Sequence, residues 1–394
     1  MNYILFDTPE SRVKLLPLTY TRPVSEMRCG ILTIKEKWDK YLKTNCSYLT
    51  ENYLQEKFPV HYSGKNIYIN GNILPTKKLA EKTATLKPGQ ALYSNNKLVA
   101  FCSEKEITGI EQTKIDNFAK INYTDKFSQI NYPWDIFRLN DQEIKNDYLL
   151  ITTGRTSATI SPTNRILGEN IFMEEGAEME FATINARENY VYIGKNSLVM
   201  EGVLIRGSFA LGDKGVVKMG AKIYGPTTAG PWSKIGGEIN NSVIFANSNK
   251  GHEGYLGNSV LGEWCNIGAN SDTSNLKNNY AEVRVWSYKT EGFVRTGLQF
   301  CGLIMGDHSK CGINTMFNTG SVVGVNANIY GAGYPRNFIP SFSWGGALGF
   351  REYQLKKAFE ANSVVMKRRN KEFNETEQNI LKTVFELSQK YRRF

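Results

Sequence analysis

Histidine is scarce in this chain of 394 residues, which has only His61, His252 and His308. No apolar run approaches the roughly 18 residues a membrane helix needs. The start, Met1 to Asp7 (MNYILFD), lacks the basic stretch that opens a secretory signal. A cytosolic protein with no membrane partner is therefore expected. The six cysteines (Cys29, Cys46, Cys102, Cys265, Cys301, Cys311) show no CxxC or zinc spacing. They read as free thiols in a reducing compartment, which excludes a disulfide scaffold. Charged residues make up 22% and hydrophobic residues 41%, a balance that excludes disorder and fibrous repeats.

What is abundant is positive charge, with a formal net of +10. Its distribution argues against nucleic acid as a partner. Residues 351–394 hold eleven Lys/Arg against six Asp/Glu, so half of the excess lies in the tail. Aromatic residues elsewhere are not interleaved with basic clusters as a single-strand groove requires. Small anions such as nucleotides, sugar phosphates or coenzyme A suit the same charge.

Three blocks follow from the patterning. Residues 1–155 read as an α/β domain, Rossmann-like in its alternation. Apolar runs at Tyr3–Phe6, Asn66–Ile69, Leu98–Phe101 and Tyr148–Thr152 are predicted strands. Leu32–Leu42 and Lys77–Lys82 are predicted helices. Residues 346–394 are expected to form a helical tail, with Asn374 and Glu377 marking the start of its second helix. The run Lys367-Arg368-Arg369 reads as a solvated face.

Residues 156–345 carry an internal repeat. Ile193, Val199, Ile205, Leu211, Val217 and Ile223 recur at steps of six, resumed by Leu261 and Ile267, then by Met305, Cys311, Phe317, Val323 and Ile329. Glycine often follows directly, as at Gly194, Gly212, Gly262 and Gly306. Six matches neither the period of a helix nor that of a strand. It fits a three-sided coil with one inward aliphatic per side, an all-β, left-handed parallel β-helix whose coils bury their core only by stacking.

Within the repeat, Asn249 to Gly257 (NKGHEGYLG) gathers Lys250, His252, Glu253 and Tyr255 among small residues. A histidine there suits proton transfer near neutral pH. His61 reads as structural and His308 as a corner residue of the coil.

The stretch His252–Leu276 (HEGYLGNSVLGEWCNIGANSDTSNL), with Lys234–Val243 (KIGGEINNSV) and Val294–Ile313 (VRTGLQFCGLIMGDHSKCGI), resembles the acetyltransferase half of the GlmU family. These are bifunctional enzymes that acetylate glucosamine-1-phosphate and then uridylylate the product. The likeness is to a branch, often found in Bacteroidetes, whose nucleotidyltransferase half is atypical. It implies acetyl-CoA as acyl donor, a homotrimer with sites between solenoids, and His252 as general base. Tyr255 and Asn266, joined by Lys250 and Asn275, are the implied substrate-binding residues. Two positions depart from the family: Leu276 stands for a tyrosine and Asn240 for a phosphate-binding lysine. The second exchange removes a point charge.

In the first block, Leu15–Pro23 (LLPLTYTRP) is similar to the nucleotide loop of sugar nucleotidyltransferases, without its glycines. Arg22, Arg28, Lys37 and Asn72 are the implied nucleotide-binding residues. Asn72 stands where the family has a magnesium-binding aspartate. Asp7 and Asp135 are then the remaining carboxylate candidates for Mg2+. The combined expectation is a transferase of amino-sugar metabolism acting on sugar phosphates, acetyl-CoA and nucleotides. The alternative is a sugar-nucleotide or sugar-phosphate binding protein with a degenerate catalytic domain.

Overall fold

The computed structural model describes residues 2–109, 115 and 117–394. The chain divides into two compact units, one made of 1–15, 21–27 and 32–132, the other of 16–20, 28–31 and 133–394. Among the described residues no helix is long and apolar enough to cross a membrane.

The first unit is a mixed six-stranded sheet flanked by helices. Its strand order is Ser47–Leu49, Asn2–Phe6, Asn66–Asn70, Lys97–Ser103, Gln90–Ser94, Ala119–Asn122. Asn2–Phe6 runs parallel to both neighbours. From it the chain crosses first to one side and then to the other, a reversal that opens a crevice beyond its carboxyl end. Short helices start where the sequence supplies caps. Thr8 and Ser11 form a capping box before Pro9–Lys14, and Thr33 and Glu36 another before Ile34–Leu42. The core centres on Phe101, stacked on Tyr68 at 4.6 Å.

The second unit is a parallel β-solenoid with three sides. Ile193 pairs with Leu211, Val199 with Val217, and Ile205 with Ile223, each eighteen residues on. Three hexapeptides therefore make one coil. The first side is a nine-stranded ladder from Ile171–Met173 to Phe338–Ile339. Every aliphatic, Met, Cys and Phe position of the repeat is buried in one continuous core. Each such side chain contributes about 1.5–3 kcal/mol by leaving water. Neighbouring coils approach so closely that a Cβ at Gly194 would lie 2.7 Å from the backbone nitrogen of Asp213. At one corner the chain turns through left-handed residues coil after coil, including Asn196, Lys214, Trp232, Trp264, His308 and Asn326. His308 is a corner residue, buried and stacked on Trp264. His61 is exposed.

Two element expectations are corrected. Tyr148–Thr152 is the last turn of a 20-residue helix, Pro133–Thr152, and not a strand. Its apolar run continues a buried stripe of Phe137, Asn140, Ile144 and Asp147, a helical spacing that the short window concealed. Asn140 donates to the Pro226 carbonyl and accepts from Thr228, fixing this helix to the first side of the coil. The tail is not helical from its start. Gly349–Glu352 folds back antiparallel on Ser343–Gly346, because Gly349 takes a φ of +136° beside the solvated Leu348.

The helices Leu355–Lys367 and Glu375–Leu387 follow, the second capped by Asn374 accepting from the Glu377 amide. Asn362 donates to Asn326, Phe385 packs edge-on against Phe342, and Arg369 donates to Asn249. The tail therefore lies on the solenoid of its own chain.

Candidate functional site

His252 sits on an exposed corner between the second side, ending at Lys250, and the third side, beginning at Tyr255. Packing from both neighbouring coils fixes this corner. A Cβ at Gly237 would lie 2.6 Å from the His252 carbonyl oxygen, and one at Gly254, at φ +109°, would collide with Ser271. The backbone carrying the imidazole is thus held from above and below while the side chain faces solvent.

Lys250 does not face outward. It occupies the inward position held in earlier coils by Met179, Val199, Val217 and Ile235, and it is 1% exposed. Its ammonium donates to the carbonyls of Gly236, His252 and Glu253 at 3.2, 2.5 and 3.3 Å. Burial lowers its pKa to about 8, with Glu253 and Asp272 pulling the other way. Its position is that of a brace under the corner.

The third side presents the polar cluster. Asn275 donates to the Tyr255 hydroxyl at 2.9 Å and to Asn258 at 2.8 Å. Asn240, one rung away, hydrogen-bonds Tyr255 as well, and Tyr224 donates to Glu238. Burial raises the pKa of both Tyr255 and Tyr224, keeping the phenols neutral. Asn266 lies elsewhere, on the outer face of the second side between Asn249 and Lys310. Tyr255 and Asn275 therefore converge in one chain, and Asn266 stands across the His252 corner from them. The cluster gains Tyr224, Glu238 and Asn258, which sequence inspection missed. Lys222–Tyr224, Glu238–Asn240 and Tyr255–Gly257 are successive rungs, but the coils here step by 16 and 17 residues, so the eighteen-residue period of the earlier coils misaligns them and hides the first two.

In the first unit a cleft of about 600 Å³ opens beyond the carboxyl ends of Asn2–Phe6 and Asn66–Asn70. Phe6, Thr8, Asn70 and Asn72 line it, and its cations are Lys14 and Lys97. This is where open α/β sheets bind ligands. Asn72 is at the cleft and touches Asn131 at 3.4 Å. Arg22 and Lys37 are buried and do not line it. Arg28 belongs to the second unit, where its guanidinium donates to the Ile31 carbonyl. Lys14 sits one residue before the loop-like stretch and Lys97 on a distant strand, so only the first lay near a recognisable motif.

The carboxylates do not fit a magnesium site. Asp7 is ion-paired with Arg12 at 2.8 Å and also accepts from Thr50 at 2.6 Å and the Val24 amide at 2.9 Å. A cation there would have to displace a buried guanidinium. Asp135 lies in the first turn of Pro133–Thr152 beside Arg138 at 3.2 Å. Among the described residues no group of three His, Cys, Asp or Glu side chains can hold a metal ion.

Residues 3–156 match the family described as "Sugar nucleotidyl transferase". Distant bifunctional homologues of the GlmU type match over about half of the chain. "Bifunctional protein GlmU" of Methanococcus maripaludis is 27% identical over 213 residues, 52% of this chain and 43% of that protein. "Bifunctional sugar-1-phosphate nucleotidylyltransferase/acetyltransferase" of Sulfurisphaera tokodaii is 29% identical over 184 residues, 41% of this chain and 45% of that protein. The chain spans less than half the length of these curated relatives. A solved structure titled "Activity and Crystal Structure of Arabidopsis UDP-N-acetylglucosamine acyltransferase" covers 54% of this chain and 80% of its own at 16% identity, with a TM-score of 0.27. That likeness adds nothing to the fold given by the ladders above.

Proposed function

We propose that the solenoid transfers an acetyl group from acetyl-CoA to the amine of an amino-sugar phosphate, with His252 as general base. The observation that carries this is an exposed imidazole on a corner locked by Lys250, with the Tyr255–Asn275 pair on the adjoining side. The imidazole takes a proton as the amine nitrogen bonds to the thioester carbonyl carbon. The carbon–sulfur bond then breaks and the coenzyme A thiol leaves. Tyr255, Asn275 and Asn240 hold the sugar by hydrogen bonds. With Asn266 across the corner, a complete site draws on a second copy, in keeping with a homotrimer. The first unit binds a nucleotide or sugar-1-phosphate in its cleft.

The test is release of free coenzyme A thiol from acetyl-CoA with glucosamine-1-phosphate and other amino-sugar phosphates. Turnover that falls at least about a hundredfold in His252→Ala supports the reading. Equal turnover in that variant removes His252 from the chemistry.

A second reading rests on Asp7 and Asn72. The first unit binds a sugar nucleotide without transferring it, because the carboxylate that magnesium needs is engaged by Arg12 and its other counterpart is an amide. Nucleotide binding without pyrophosphate release across a panel of NTPs and sugar-1-phosphates favours this reading.

A further inference from the structure

The solenoid is interrupted once at length. Leu261 pairs with Met305, although the chain between them runs out through an antiparallel hairpin, Arg284–Ser287 with Gly292–Arg295. The interruption adds no rung to the first-side ladder, and insertions of this kind in repeat proteins commonly serve binding. The hairpin is held in place: a Cβ at Gly320, at φ +71°, would lie 2.5 Å from the Arg284 carbonyl oxygen. The end of the chain closes over it. Lys390 is ion-paired with Glu291 at 2.5 Å, and the Tyr391 ring meets Tyr288 edge-on at 5.1 Å.

Between hairpin, last coils and chain end lies a cleft of about 800 Å³. None of His252, Tyr255, Asn266 or Asn275 lines it. One wall is aromatic: Trp286 stacks on Phe338 at 4.2 Å, with Phe293 edge-on at 5.7 Å and 40% exposed. The Trp286 indole N–H is buried and has no acceptor among the described residues. The rim is basic, with Arg284, Arg336 and Arg393 joining Lys277 and Lys390, and its one carboxylate, Glu291, is already taken by Lys390. Neither Arg284 nor Arg336 is ion-paired among the described residues. Arg284 donates to the Phe293 carbonyl, which ties its guanidinium to the aromatic wall.

We infer that this cleft binds a nucleoside polyphosphate. Planar guanidinium forks suit phosphate oxygens, an aromatic wall suits a base, and the volume suits a ligand that has both. This site is separate from the acyl-transfer reading and does not depend on it.

The test is calorimetric titration of the full chain with ATP and with inorganic pyrophosphate. A Lys14→Ala/Lys97→Ala background weakens binding at the cleft of the first unit about tenfold, so that the remaining high-affinity binding reports on this one. Binding of ATP that weakens roughly tenfold or more in Arg284→Gln/Arg336→Gln is the expected result, on the scale of hydrogen bonds to charged groups. Phe293→Ala is expected to weaken ATP and leave pyrophosphate unchanged. A melting temperature equal to the parent's checks the double variant's fold, and the single variant Arg336→Gln carries the same expectation should the pair misfold. Absence of ATP binding, or ATP affinity unchanged by the arginine variants, overturns the site. Pyrophosphate bound as tightly as ATP, with no effect of Phe293→Ala, overturns the nucleoside.

Discussion

The ammonium of Lys250 lies 2.5 Å from the carbonyl oxygen of His252, two residues along the chain, and 3.3 Å from that of Glu253. A lysine has thus been placed in an apolar column so that its charged end ties down an exposed turn. The cost is desolvation, and the return is a corner that cannot swing.

Replacing Lys250 by Met is expected to leave the solenoid folded and at least as stable at neutral pH, because an apolar chain of similar length removes a buried charge. Acyl transfer is expected to fall about tenfold or more through kcat, since a loosened general base loses its alignment, with KM for acetyl-CoA little changed. Stability also carries a pH signature. The folded pKa near 8 lies below the ordinary 10.5, so the unfolded chain holds the extra proton between those values. The burial penalty is in full force below about pH 8 and fades as pH rises towards 10.5. The melting temperature of the parent minus that of Lys250→Met is therefore expected to increase across that window. A flat difference would mean that Lys250 does not titrate there.

Gly257→Ala probes the Tyr255–Asn275 cluster without touching His252. A Cβ at Gly257 would lie 2.6 Å from the Asn275 amide nitrogen and would collide with the Tyr255 hydroxyl, so both side chains must move. The expected result is a several-fold rise in KM for the amino-sugar phosphate, with binding of acetyl-CoA retained. Equal KM values would detach Tyr255 and Asn275 from acceptor binding.

Asp7→Ala takes the closer carboxylate, at 2.8 Å, from the buried Arg12 guanidinium and leaves it the half-exposed Glu51 at 3.5 Å. Loss of one partner of such a pair costs about 3–5 kcal/mol. A lowered melting transition of the first unit is expected, with magnesium binding by calorimetry no weaker than in the parent. Loss of magnesium binding with unchanged stability would restore Asp7 as a metal ligand.

Lys14→Ala and Lys97→Ala remove the cations of the first-unit cleft. Binding of UTP there is expected to weaken about tenfold for the pair, and more steeply at low salt, where screening is least. Arg22→Ala is expected to act on stability instead, because Arg22 is buried away from that cleft. The reverse pattern, with Arg22→Ala abolishing UTP binding in a fully folded protein, would relocate the nucleotide.

The hexapeptide period was legible because most sides repeat one demand, an inward apolar side chain, and the repeat positions marked from Ile193 to Ile329 lie in the core, with Lys250 an exception among the rungs between them. The Asn374 cap was legible for the same local reason. Tyr148–Thr152 misled because five apolar or neutral residues carry too little phase to separate helix from strand. The resemblance implies Lys250 as a substrate-binding residue, and the period alone does not say that three carbonyls await it at an inward rung. Motif position implies Arg22 and Lys37 as nucleotide-binding residues, whereas their burial is decided by the sheet and helices around them. The Tyr224–Glu238 partnership joins neighbouring rungs, which linear sequence keeps apart.

The ladder that closes over the hairpin, from Val260–Leu261 directly to Ile304–Met305, separates the mechanics of the coil from those of its insert. A break in the peptide chain within the outlying loop would leave the hydrogen-bond rows of the coil intact, so the two fragments would stay mated like halves of a zip. In evolutionary terms the coil offers a socket. Inserts of different length and chemistry can be exchanged at that one position while the spine that presents them keeps its register.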